Sequence, residues 1–231
     1  MPGSGIKLEA NNMEKLSQQS SLTFLRILYP IWMVFGIFSI MYVPTTLIVQ
    51  GDVATTAKNI TSNEFLFRAG IVGSLITQII FIFAALFLYK LFEPVNKTYS
   101  LLMVILALVS VPIAMLNTLN SVAAFLLVNN PEQMMLFLNL NKQGIFIASI
   151  FWGLWLFPLG FLIYKSGYFP KIIGFFVIVG GFGYTLSSFV ELLVPNFEAI
   201  LSALEIMTFG EIIFLGWLLV RGAKIPRLKG R

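Results

Sequence analysis

Six long apolar runs separated by short polar stretches make up most of this chain, at about 23–49, 67–91, 99–128, 144–165, 171–194 and 199–220. A bilayer core of ~30 Å needs roughly 20 apolar residues in a helix. Backbone groups in lipid must be satisfied inside the element, and these runs are too long for barrel strands. The pattern therefore predicts an all-α fold, a polytopic transmembrane bundle of six spans. The first run has no small-residue cleavage site at its end, so it reads as a span rather than a signal peptide. Three segments result: a flexible N-terminal segment at 1–21, a six-helix transmembrane domain at 22–221 and a basic tail at 222–231.

Composition supports lipid as the solvent. The chain is 58% hydrophobic and 11% charged, against about a quarter charged in soluble domains. It contains no cysteine and no histidine, which excludes thiol and imidazole catalysis, Cys/His metal sites, disulfides and cysteine lipidation. No cofactor is expected. The net charge of +5 is explained by topology rather than by a nucleic-acid partner. Lys7, Lys15, Arg26, Lys90, Lys97, Lys165, Lys171, Arg221, Lys224, Arg227, Lys229 and Arg231 gather at one set of span ends. Only Lys58, Arg68 and Lys142 fall on the other. The positive-inside rule then puts both termini in the cytoplasm of a protein of the cell (inner) membrane.

The connecting segments carry cap signals. Asp52 is placed to cap one short helical turn, and Asn63 to cap the next helix, with Glu64 facing Arg68 at i,i+4. "NNPEQMMLFLNLNKQG" (129–144) reads as a short interfacial helix starting near Pro131 and ending before the fourth span. "LIYKSGYFPK" (162–171) and "LLVRGAKIPR" (218–227) share an order of apolar residues, base and proline. Helix-ending chemistry explains that order more simply than a duplicated unit. Gly174, Gly181 and Ser188 form a small-residue stripe suited to close helix packing.

Intramembrane polar residues are where function is sought. In the fifth span Glu191 shares a face with Ser188, Ser187 and Tyr184. In the sixth, Glu205 sits ~9 Å and Glu211 ~18 Å from the outer end, with Thr208 between them on the helical wheel. Asn117 and Asn120 of the third span and Gln78 of the second fall at comparable depth. With Trp155, these residues predict a polar pocket opening outward. An ionised acid at mid-bilayer costs at least ~2.5–3.5 kcal/mol, and every basic residue reads as lying at a span end. Glu211 is therefore expected to be protonated, hydrated or facing a cation from outside the chain. Polar glue between helices is the plainer alternative. No catalytic or metal-ligating set is predicted.

The stretch "GLWLFPLGFLIYKSGYFPKIIGFFVIVGGFGYTLSSFVELLVP", with "GDVATTAKNI", "LYKLFEPVNK" and "GEIIFLGWLLV", resembles a bacterial six-span membrane family known as domain of unknown function 4386. The resemblance covers roughly residues 23–222. It implies the six-span fold and a bacterial or archaeal origin, and no activity. It also implies histidine where Trp155 stands and aspartate near Ser74 and Ser187, from which this chain departs; Glu211 matches the family pattern. The leading expectation is a non-enzymatic protein that binds, and moves, a small amphiphilic or cationic molecule. A second is an accessory or structural subunit of a larger membrane complex, or a homo-oligomer. A third is a lipid-modifying enzyme with Glu191 and Glu205 as an acid/base pair.

Overall fold

The computed structural model describes residues 3–194 and 198–225. Among the described residues, eight α-helices and one π-helical segment make up six rods long and apolar enough to cross a bilayer, and a ninth, short α-helix lies between the first two. The protein is a multi-pass membrane protein. Rod one is α1 (Gly3–Gly36), the π-helical Ile37–Tyr42 and α2 (Val43–Leu47). After the small helix α3 (Val53–Ser62) come α4 (Glu64–Phe92), α5 (Lys97–Leu126), α6 (Pro131–Leu154) with α7 (Leu156–Ser166), α8 (Lys171–Leu193) and α9 (Glu198–Val220). Neighbours in sequence pack side by side, α6 also meets α8, and α1 touches α9, so the rods close into a ring. We call the end holding the α4–α5 and α7–α8 turns the tail end and the opposite one the α3 end.

Two interruptions in the rods trace to proline. Pro44 has no N–H to donate and its ring would strike the carbonyl one turn back. The helix accommodates it by widening: Val43 N–H bonds Phe38 O, five residues earlier, before α2 begins with Pro44 in its first turn. The second interruption is at Trp155, the hinge between α6 and α7, three residues before Pro158. Both are the proline-caused breaks expected of long helices.

Several local expectations meet their outcome here. Asp52 does cap α3, accepting from Thr55 N–H at 2.9 Å and Thr55 Oγ1 at 2.7 Å, and α3 has ten residues, so it is longer than a single turn. Arg68 pairs with Glu64 at 2.7 Å. Asn63 is no side-chain cap for α4: its Nδ2 donates backward to Asn59 O, so it closes α3. The expected interfacial helix at 131 is not separate. It runs on as α6 because its polar residues find partners on α5 and α8, so nothing forces it out to the interface. Residues 1–21, expected to be flexible, are helical from Gly3. Gln18 fastens this stretch by donating to Leu91 O at 3.0 Å and Tyr168 OH at 2.9 Å. Within the tail, 226–231 lie outside the described residues.

The shared order in "LIYKSGYFPK" and "LLVRGAKIPR" is helix termination. Gly167 and Gly222 both adopt positive φ, 67° and 68°, where a Cβ would be strained. The small stripe is also packing: a Cβ on Gly174 would lie 2.6 Å from Gly160 O, and one on Gly181 2.9 Å from Gly153 O. Two glycines on each side thus let α6–α7 and α8 meet backbone to backbone. The tail-end half is filled by Leu25, Leu88, Met103, Leu156, Leu159 and Phe214, all fully buried.

Candidate functional site

The α3-end half is not filled. A cavity of about 280 Å³ lies between the first rod, α4, α5 and α6. Its lining mixes apolar residues, Val43, Leu47, Ile71, Leu138 and Ile145, with the polar Ser39, Ser74, Thr77, Gln78, Asn117, Thr118, Ser121, Asn141 and Lys142. The widened helix before Pro44 contributes Ser39 to the wall, its hydroxyl bonded to Phe35 O at 2.7 Å. Cavities that hold small molecules have this mixture of apolar surface and a few convergent polar groups.

Asparagines fix the α5–α6 wall. Asn117 Nδ2 donates to Asn141 O at 2.8 Å, and Asn141 Nδ2 returns a bond to Asn117 O at 3.2 Å. Asn120 Nδ2 supports Asn117 Oδ1 at 2.9 Å. Gly144 leaves no room beside this clasp, since any Cβ there would collide with the Asn117 amide. Gln78 differs from these. It is buried, and its Oε1 is enclosed with no hydrogen-bond partner among the described residues. An unpaired buried amide costs ~1–3 kcal/mol, so a group kept in this position needs an explanation.

The floor is aromatic. Trp152 lines the cavity, and one turn further Trp155 packs edge-on to Phe81 at 5.2 Å. Phe81 itself stands one turn beyond Gln78 on α4. Trp155 is 2% exposed and so belongs to the floor's support rather than the lining.

Lys142 gives Glu191 a partner that was not expected: it lies in the continuous α6, with Nζ 3.2 Å from Glu191 Oε1, and Glu191 is two residues from the end of α8, so the base stays toward a span end. The lysine side chain is 60% exposed and the glutamate 9%. Glu191 is thus a buried carboxylate answered by a cavity-edge ammonium. Glu205, in contrast, is exposed on α9.

The remaining predicted residues lie away from the cavity. Ser187 and Ser188 both turn back to Tyr184 O, at 3.0 and 2.8 Å, and Thr208 to Glu205 O at 2.6 Å. Glu211 is buried on α9 where Gly180 of α8 comes close to its backbone. One outward pocket was expected; the structure separates the amides of α4 and α5 from the carboxyl of α9. Sequence reasoning missed Ser39, Thr77, Asn141 and Lys142. The i, i+3, i+4 set Ser74–Thr77–Gln78 was a signal available for one of them. Among the described residues no group of three or more acids could hold a metal ion.

Comparison with known proteins places this geometry in a family without fixing its chemistry. The chain is 30% identical over 161 residues to a protein of Archaeoglobus fulgidus described as uncharacterized, covering 68% of this chain and 86% of that relative. No solved structure matches. The family model described as Domain of unknown function (DUF4386) matches residues 27–222. Over nearly its whole length, this chain belongs to that family.

Proposed function

We propose that the protein binds a small, uncharged amphiphile in the cavity between the first rod, α4, α5 and α6. The observation that carries this reading is Gln78, a buried amide on the lining of a part-apolar cavity, whose enclosed oxygen has no hydrogen-bond partner among the described residues. Charge accounting supports the uncharged class. Lys142 is the one ionisable residue on the lining, and Glu191 already matches it. A ligand with a net charge would enter with no free partner, or would leave Glu191 buried and unpaired, which is costly. Alcohol, amide or glycol heads suit the amides and hydroxyls, and an alkyl portion suits Val43, Leu47 and Ile71. In this conformation the aromatic floor closes the cavity toward the tail end, so movement of the ligand across the membrane needs a second conformation. The positive-inside distribution supports a cell-membrane protein whose tail end, with both termini, faces the cytoplasm.

The absence of native cysteine makes the test clean. A single cysteine replacing Ser121 should react with a water-soluble maleimide. 1-Octanol should slow that reaction, while octylammonium and octanoate at matched bilayer concentrations should not. Gln78→Leu in the same background should remove the protection. Equal slowing by all three compounds, or none by octanol, overturns the reading.

A further inference from the structure

The first and last rods are fastened to each other toward the tail end. There Arg26 donates to Leu219 O at 2.8 Å, and a Cβ on Gly222 would lie 3.8 Å from side-chain atoms of Leu22 and Arg26. Leu25 and Phe214 are fully buried in that half. Toward the α3 end the partners change: the π-helical segment and α2 pack on α4, while α9 packs on α8. Between Glu198 and Ile206 only Leu204 is buried, where Gly183 of α8 closes on its carbonyl so that a Cβ there would be 2.7 Å away. Residues 198, 199, 200, 202, 203, 205 and 206 are exposed, and at 100° per residue they cover more than half the circumference of α9. A gap therefore separates the α3-end halves of the first and last rods.

The cavity reaches this gap. Its lining comes from the first rod, α4, α5 and α6, with nothing from α8 or α9 among the described residues. In the ring those two rods stand between α6 and the first rod, so on that side the cavity has no rod against it. Ile40 marks the rim, since it lines the cavity and is 49% exposed. It precedes Leu47, the end of the rod, by seven residues, or ~10 Å at 1.5 Å per residue. At that depth a bilayer presents acyl chains rather than head groups or water.

We propose that the gap is a lateral opening to the leaflet at the α3 end, and that the cavity takes the head of a neutral lipid with one long alkyl chain. The inference rests on the binding reading above and names its ligand class. Three observations select that class. Gln78 Oε1 is an acceptor without a partner among the described residues, so the head must bring a donor, a hydroxyl or an amide N–H. Lys142 is matched by Glu191 at 3.2 Å, so the head carries no net charge. A volume of about 280 Å³ is at the lower edge of the ~300–1,000 Å³ of sites that enclose a drug-sized ligand. It has room for a head and the first carbons of a chain, and the remainder passes out beside Ile40 and stays in the bilayer.

Photocrosslinking of the full chain in lipid nanodiscs tests this with a long-chain monoacylglycerol carrying a diazirine either beside the ester or at the chain end. Adducts are mapped by peptide mass spectrometry. The ester-side probe should mark α4, α5 and α6 residues of the cavity, and the chain-end probe residues 37–41 and the first turns of α9. Excess unlabelled monoacylglycerol should compete with both. Gln78→Leu should lower the competed yield about fivefold, the worth of one hydrogen bond. The wild-type map carries the test if that variant fails to fold. Chain-end adducts inside the cavity mean a ligand swallowed whole, and chain-end adducts spread over every lipid-facing helix without competition mean bulk lipid; either overturns the lateral opening. A bare gap in particles that hold two copies of the chain gives that surface to the second copy and overturns it too. If cavity adducts are missing while octanol still protects the cysteine at 121, the lipid class falls and the binding reading stands; if octanol protection is also missing, both fall.

Discussion

Removing either partner of the Lys142–Glu191 pair should have unequal consequences. At 3.2 Å and an effective dielectric of ~20, the attraction is about 5 kcal/mol before desolvation is subtracted. What remains on truncation depends on which charge is left. Lys142→Met leaves a carboxylate that is 9% exposed with no counter-charge, a situation that costs roughly 3–5 kcal/mol when the group is fully enclosed. Partial access to water lowers this to about 2–4 kcal/mol. Glu191→Gln leaves a lysine that is 60% exposed and can hydrate in place, so the loss should stay within ~1 kcal/mol. The double variant should lie within ~1 kcal/mol of the wild type, because no unpaired buried charge remains. In a chain of this size the first change corresponds to a fall in Tm of roughly 4–16 °C. Reversible unfolding of all four proteins in the same micelles, followed by circular dichroism, measures the cycle. Equal losses for the two single variants, or a double variant as unstable as their sum, would refute the argument that burial of Glu191 decides the energetics.

Other outcomes follow from geometry. Gly174→Ala pushes a methyl against backbone at 2.6 Å and should destabilise by ~1–3 kcal/mol, while Gly216→Ala, with nothing within 4 Å, should be neutral or slightly stabilising by thermal melting. Pro44→Ala removes the cause of the widened turn; the segment 37–42 should close to regular α-helix, turning Ser39 out of the cavity, which a cysteine at 39 reports as slower labelling. Thr55 hydrogen bonds hold the Asp52 carboxyl below the usual aspartate range. A depressed folded value means the cap contributes above the ordinary pKa of ~3.9 and is lost as pH falls through the lower folded one. Protection of the α3 amides relative to their intrinsic exchange rate should therefore fall in acid and, at neutral pH, in Asp52→Ala; identical protection in wild type and variant would contradict the cap. Cysteines placed at Lys58 and Lys97 should react with an impermeant reagent from opposite faces of the membrane, and reaction from one face would refute the topology.

The spans were legible because lipid imposes a length and an apolar composition that few sequences meet by chance. Cap residues were legible where the partner is local: Asp52 needs only Thr55, and Glu64 only Arg68. Reading failed where a polar residue is satisfied by a distant helix. The run Asn139–Gln143 looked like an interface because its partners, Asn117 and Glu191, lie 24 and 49 positions away from Asn141 and Lys142 respectively. Counted along the chain, those residues are a polar break; counted across the bundle, they are the clasp and the ion pair. The same error hid Lys142 and merged two centres into one. Counted along their spans, Glu211 and Gln78 read as lying at similar depth, but depth is a single coordinate. The ring order puts α4 and α9 on either side of α1, so residues at one level face different neighbours. Lys142 is the contrast that separates them: among the described residues it gives Glu191 a counter-charge, while no ion pair reaches Glu211.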